Sequence, residues 1–294
     1  MIVRDRPSLL ELFLTWRGTV LQRIWPQLAF VTLLSAAIVE GHALFPGTVP
    51  ALDGMPFALI GIAFSVFLGF RNSACYDRWW EARRQWGAIL IATRDLVRRT
   101  LILEGRGEVG SAMRRALLRR LIVFTGALAA HLRGPAPAAD AACRFPLDAQ
   151  LREAGAGLAE ARLAGLLSDV EFSLLDSGLS EINHAATACE RLRNTPVPFG
   201  YTLLLHRTAY LFCLLLPFSF ADVLGWGTPL VTGLVAYTFF GLDALSDEME
   251  EPFGTRPNAV PIAAIACTIE LNLREALGET DLPPLPQPVD TILL

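Results

Sequence analysis

The chain has 294 residues, 53% of them hydrophobic and 18% charged, with a net charge of −4. It is too apolar for an ordinary soluble domain and too charged to lie wholly in a membrane, so a membrane part joined to a water-exposed part is expected. The mild charge gives no sign of a nucleic-acid partner, and no Gly-rich phosphate loop, HExxH or Cys/His zinc spacing calls for a cofactor or metal.

The segment Ser8 to Trp16 places Leu9, Leu12, Phe13 and Trp16 on one side of a helix, as for a segment lying at the inner membrane interface. The first candidate span follows, about Ile24 to Phe45. A signal peptide cleaved near Ala43 is the competing reading, and the long prelude with polar Glu40 and His42 argues against it. Glu40 and His42 point about 200° apart on a helix, so a solvated outer rim suits them better than a shared ion. Asp53, in the Pro/Gly-rich turn after the span, reads as a turn residue or as an attractor of cations.

The second span begins at Pro56 and runs without a break into a charged continuation, Arg71-Asn-Ser-Ala-Cys-Tyr-Asp-Arg-Trp-Trp-Glu-Ala-Arg-Arg84. Its apolar part to Phe70 is only about 22 Å long, short for a ~30 Å hydrocarbon core, which favours burial against protein. Ile62, Val66 and Phe70 share one face at i, i+4, i+8, and Gly61, Ser65 and Gly69 form a small-residue face beside it. Small residues let helices approach closely, so neighbouring copies packed through them would turn the bulky stripe toward a common axis as a hydrophobic collar. Periodicity alone fits a lipid-facing surface as well. The small stripe, and the change to Ser73, Asp77 and Arg84 further along the same face, favour the collar. Arg71 and Asn72 read as structural, capping neighbouring helix ends or snorkelling, in preference to shaping the inner end of a pore.

The second helix is expected to run from Pro56 to about Leu103, and further helices over about Met113 to Arg133, Leu147 to Leu166 and Ser168 to Arg193. Thr195-Pro-Val-Pro-Phe199 then introduces a third span, about Thr208 to Leu224, with Pro217 inside it. The fourth, about Pro229 to Leu245, opens with Thr228 as N-cap and Pro229 as first residue. It ends in Asp243, Asp247, Glu248, Glu250 and Glu251, which point in several directions and suit Arg partners better than Ca²⁺. A last helix covers about Ile262 to Leu277, and the Pro283 to Pro288 tail is polyproline-like and expected to be disordered.

All 25 basic residues are Arg. They flank the inner ends of the spans and are missing from both short outer turns, so both termini and the middle region are expected in the cytoplasm. The five cysteines show no CxxC spacing and are expected as free thiols. His131, His184 and His206 stand isolated, and no Ser/His/Asp grouping proposes an enzyme.

The run Phe67-Leu-Gly-Phe-Arg-Asn-Ser-Ala-Cys-Tyr-Asp-Arg-Trp-Trp-Glu-Ala-Arg-Arg-Gln-Trp-Gly87, with Thr195-Pro-Val-Pro-Phe199, Arg207-Thr-Ala-Tyr-Leu-Phe-Cys213 and Glu251-Pro-Phe-Gly254, resembles the bestrophin family, in particular its bacterial branch. The resemblance implies an all-α, homopentameric ion channel of the bacterial inner membrane. Each subunit would have four membrane helices and a helical cytoplasmic domain, with membrane lipids and permeant ions as its other partners. It divides the chain into a cytoplasmic segment 1–23, membrane helices 24–72, a cytoplasmic domain 73–198, membrane helices 199–246 and a cytoplasmic end 247–294. It places the pore neck at Ile62, Val66 and Phe70 and a second constriction at Val170. Animal members resembling this chain carry an acidic run after Asn-Pro-Phe-Gly, replaced here by Thr255-Arg-Pro-Asn258, so no Ca²⁺ activation is expected. Their necks are also aromatic and conduct anions; aliphatic Val66, with no ring edges to offer an anion, tilts the expectation to Na⁺, with chloride conduction or a non-conducting scaffold as the alternatives.

Overall fold

The computed structural model describes residues 1–4, 15, 18–45, 47–135 and 144–293. The amphipathic Ser8 to Trp16 stretch, apart from Thr15, and Cys143 lie outside them. Among the described residues the structure is helical: α1 (Leu21–Leu44), α2 (Gly54–Arg99), α3 (Leu101–Glu104), α4 (Gly107–Arg133), α5 (Pro146–Leu163), α6 (Asp169–Asn194), α7 (Phe199–Leu224), α8 (Thr228–Glu250) and α9 (Ile262–Ala276). Three helical stretches, Leu21–Leu44, Gly54–Glu104 and Phe199–Glu250, are long and apolar enough to cross a membrane. A 3-10 turn, Gly225–Gly227, divides the last into α7 and α8; Gly225 takes φ of 50°, a left-handed value that a Cβ would oppose.

The chain forms two compact units. One holds Arg4–Arg78 and Pro196–Glu251, where α1 packs on α7 and α8. Its core interleaves Ile24 and Val31 of α1, Phe64 and Leu68 of α2, Ala209 and Leu216 of α7, and Ala236 and Phe240 of α8. Phe64 meets Phe239 edge to face with ring centroids 4.9 Å apart, a geometry that adds to the burial of the rings themselves.

The other unit holds Met1–Val3, Trp79–Thr195 and Pro252–Leu294. Four helices each contribute a stripe at helical spacing: Trp86, Ile89 and Leu96 from α2, Leu118, Leu121 and Leu128 from α4, Leu175, Leu179 and Ile182 from α6, and Ile262, Ile269 and Leu273 from α9. The 3.6-residue period read from the sequence is thus met by burial. Cys75, Cys189, Cys213 and Cys267 are free thiols. Burial raises Cys189 to about 12, which keeps it an inert neutral thiol.

Two local expectations are corrected. The long helix stops at Arg99, and Thr100 intervenes before the short α3, its hydroxyl donating back to the Leu96 carbonyl at 2.7 Å. Thr228 is the first residue of α8 and Gly227 its cap; the Thr228 hydroxyl donates instead to the Phe220 carbonyl at 3.1 Å. Beyond the Pro283 to Pro288 stretch the chain is tied down: Ile292 pairs with Ile2 and with Val289 in antiparallel bridges, and the Val3 amide donates to the Thr291 carbonyl at 2.8 Å.

Gly178 marks the closest approach of α6 to α2, where an added Cβ would stand 2.7 Å from Leu96 Cδ2 and 2.9 Å from its Cγ. Leu96 is fully buried and has no room to yield. Gly178→Ala is expected to lower stability by about 1–3 kcal/mol through overpacking, read as a lower midpoint in thermal unfolding.

Candidate functional site

Between residues 61 and 70 of α2 only Phe64 and Leu68 are buried, and the rest of the apolar segment, Phe67 included, is exposed or half-buried. Phe64 and Leu68 are 3% and 1% exposed, whereas Ile62, Val66 and Phe70 are 65%, 50% and 64% exposed. Two residues turn a helix by about 200°, so the greasy stripe points almost directly away from the face that packs on α7 and α8. In a single protomer these three large apolar side chains have no cover.

The small-residue face lies on one flank of that stripe and is not uniform. Gly61 is used inside the protomer: a Cβ there would stand 3.1 Å from the Phe212 ring. Gly69 faces open space, and Ser65 is exposed with its hydroxyl donating to the Ile62 carbonyl at 2.8 Å. An apolar groove of about 360 Å³ runs beside them, lined among others by Phe57, Gly61, Ser65, Phe212 and Phe239.

Directly below the stripe sits a charge cluster. Arg71 is fully buried and pairs with Asp243 at 2.5 Å, Asp247 at 2.6 Å and Glu250 at 3.4 Å. Arg23 of α1 pairs with Asp247 at 2.6 Å, and His206 Nδ1 of α7 lies 2.7 Å from the second oxygen of Asp243. Arg78 Nε donates to the Glu250 carbonyl at 3.3 Å, and the Ser246 hydroxyl donates to Asn72 Oδ1 at 3.3 Å. The arrangement ties α1, α2, α7 and α8 together through charge-assisted hydrogen bonds.

The cluster revises three readings made from sequence. Arg71 does not snorkel, because its carboxylate partners lie inside the protein. The acidic residues take Arg partners, as expected, but do not all diverge: Asp243, Asp247 and Glu250 follow i, i+4, i+7 and share a face that Arg71 meets. His206 is not isolated, and His131 Nε2 likewise lies 3.5 Å from Glu190. The signal available in the sequence was that spacing, together with one Arg at the end of an apolar run and no basic residue within α8.

Near the C-terminal ends of α1 and α7, His42 Nδ1 lies 3.2 Å from Asp222, and Glu40 is exposed. Asp53 accepts from the Met55 amide at 3.0 Å, the geometry of a turn residue at a helix start.

Val170, in the first turn of α6, is 70% exposed. A capping box fixes that turn: the Ser168 hydroxyl accepts from the Glu171 amide while the Glu171 carboxylate accepts from the Ser168 amide at 2.7 Å. Arg162 holds Asp169 at 2.6 Å and Arg106 holds Glu171 at 3.1 Å, so the charges on either side of Val170 are drawn away from it. The Ser168 amide and hydroxyl keep the Glu171 carboxyl below its usual range. The cap is therefore complete at neutral pH and is lost as pH falls through that lowered value.

Comparison with known proteins follows the same lines. A family model described as Bacterial/Fungal Bestrophin protein matches residues 1–275. The voltage-dependent anion channel-forming protein mll4386 of Mesorhizobium japonicum is 41% identical over 298 residues, covering 97% of this chain and 95% of the relative. The voltage-dependent anion channel-forming protein YneE of Escherichia coli K12 is 36% identical, covering 96% of each. The crystal structure of a bacterial bestrophin homologue from Klebsiella pneumoniae is 39% identical and superposes with a TM-score of 0.81 over 87% of this chain and 99% of that one.

Removing Arg71 would strand buried Asp243 without its cation. Arg71→Met is expected to destabilise the protein by about 3–5 kcal/mol, and Arg71→Met combined with Asp243→Asn to recover part of that loss, measured by thermal unfolding in detergent.

Proposed function

This chain belongs to the bacterial and fungal bestrophin family, whose members compared above are channels and not enzymes, and from that premise we propose that it assembles as a homopentamer into an ion channel of the bacterial inner membrane. Ile62, Val66 and Phe70 of each copy form the neck. The observation that carries this reading is the exposure of three large apolar side chains on the α2 face opposite the protomer's own packing face. Ser65 and Gly69, on the flank of that face, give the next copy a close approach. Val170 lines a second constriction.

In this reading residues 24–72 and 199–246 lie in the membrane, while 1–23, 73–198 and 247–294, including both termini, lie in the cytoplasm. An apolar collar with no polar lining holds ions back by the cost of removing their water, so it closes by dewetting and opens by a small widening.

The permeant ion is an anion such as chloride. The relatives' names as anion channel-forming proteins support this over the Na⁺ expected from sequence. That expectation rested on Val66 lacking ring edges, and an aliphatic ring disfavours both signs of charge through the same desolvation. One observation favours cations as the second reading: Asp77, exposed and without an ion pair among the described residues, continues the neck face toward the cytoplasm. A ring of such carboxylates would raise the local cation concentration.

Planar-bilayer recording of purified protein under a NaCl gradient separates the two by the sign of the reversal potential, which is expected at the chloride side; a potential at the sodium side sinks the anion reading. Val66→Ala is expected to raise conductance several-fold without altering assembly, and unchanged currents would remove Val66 from the neck. Absence of ion flux in liposomes would leave a scaffold.

A further inference from the structure

Helices α4 and α9 enclose a groove of about 350 Å³ in the unit that contains residues 79–195. Its walls are short and apolar, with Ala129, Ala130, Ala263 and Ala266 on either side. At Gly126 a Cβ would meet nothing within 4 Å, so the groove stays open where a larger residue would fill it. Cys267, also in the wall, is raised above ordinary thiol values by burial and by Glu270, and remains neutral. Glu270 is engaged by Arg274 at 3.5 Å.

Arg133 closes one end. Its Nε and Nη2 are sealed from solvent and have no hydrogen-bond partner among the described residues. These two N–H groups form the edge of the guanidinium that pairs bidentately with a carboxylate. Burial lowers Arg133 from its ordinary basicity, and no acidic neighbour raises it back. Helix capping does not account for it either, because Arg193 donates to the carbonyls of His131 and Gly134 at 2.6 Å each. A guanidinium desolvated in this way keeps an unmet demand for an acceptor.

We propose that this groove binds a small amphiphilic monocarboxylate. Arg133, whose Nε and Nη2 are sealed behind the groove's end in the free protein, rotates its side chain to bring that edge to the carboxylate, and a short apolar tail lies along Gly126, Ala129 and Ala266. The volume is at the lower end of the ~300–1,000 Å³ usual for ligand sites, which limits the tail to a short chain.

Isothermal titration of the full chain in detergent with hexanoate tests the proposal, with 1-hexanol and inorganic phosphate as probes of tail and charge alone. Hexanoate is expected to saturate one site per subunit, and the other two are not. Arg133→Gln should weaken hexanoate by about tenfold or more, and Gly126→Leu, which fills the groove without touching Arg133, should remove binding. Equal hexanoate affinity in wild type and Arg133→Gln, or no saturation at all, overturns the proposal. Phosphate bound as well as hexanoate would make this a plain anion site and overturn it too. A changed oligomeric mass for Gly126→Leu in size-exclusion chromatography would mean that a second copy covers the groove, and the monocarboxylate site would fall with it.

Discussion

A buried guanidinium admits few solutions, and Arg71 has taken the one available: three carboxylates on one face of α8. Because Arg71 falls on the same side of α2 as Phe64 and Leu68, meeting those carboxylates fixes the rotation of the helix about its own axis. That rotation decides what is left outside. With Phe64, Leu68 and Arg71 turned inward, Ile62, Val66 and Phe70 have no choice but to face away. The pair is worth little as a contribution to stability, since desolvation offsets most of the Coulomb gain. Its value is orientational, because any other rotation would leave a charge unpaired in an apolar core at a cost of several kcal/mol.

The cluster also has a second tier. Arg23 reaches Asp247 from α1, and His206 reaches Asp243 from α7, so each of these two carboxylates that serve Arg71 is held from another helix as well. Four helices thereby converge on one short stretch just beyond the apolar stripe. An apolar collar has no polar groups to hold its own geometry, and side chains such as Val66 are stiff only relative to their backbone. The polar anchor lies immediately beyond the stripe of Ile62, Val66 and Phe70 and holds the α2 backbone that carries it.

In the other unit the packing is tight where rigidity is needed and loose where it is not. Gly178 lets α6 approach α2 closely, and the capping box at Ser168 and Glu171 secures the turn that carries Val170. Between α4 and α9, by contrast, alanines and Gly126 leave space beside an Arg whose Nε and Nη2 have no partner among the described residues. Close-packed interiors do not leave such voids next to desolvated charge without consequence.

Much of this was legible in the chain. The apolar periods of α2, α4, α6 and α9 dictated helices and their buried faces, because a 3.6-residue repeat admits one packing side. The stripe of Ile62, Val66 and Phe70 could be read off at four-residue spacing, and the family resemblance rested on residues in plain view. What local pattern could not supply was partnership. Arg71 and Asp243 are 172 positions apart, and His206 and Asp243 are 37 apart. No periodicity links them, so Arg71 read as a snorkelling residue, the acids as divergent and His206 as isolated. Sequence determined the helices and the faces they could offer, since those follow from short-range backbone geometry; the tertiary structure alone decided which partner each charged side chain meets, since that depends on charges coming together across the whole chain.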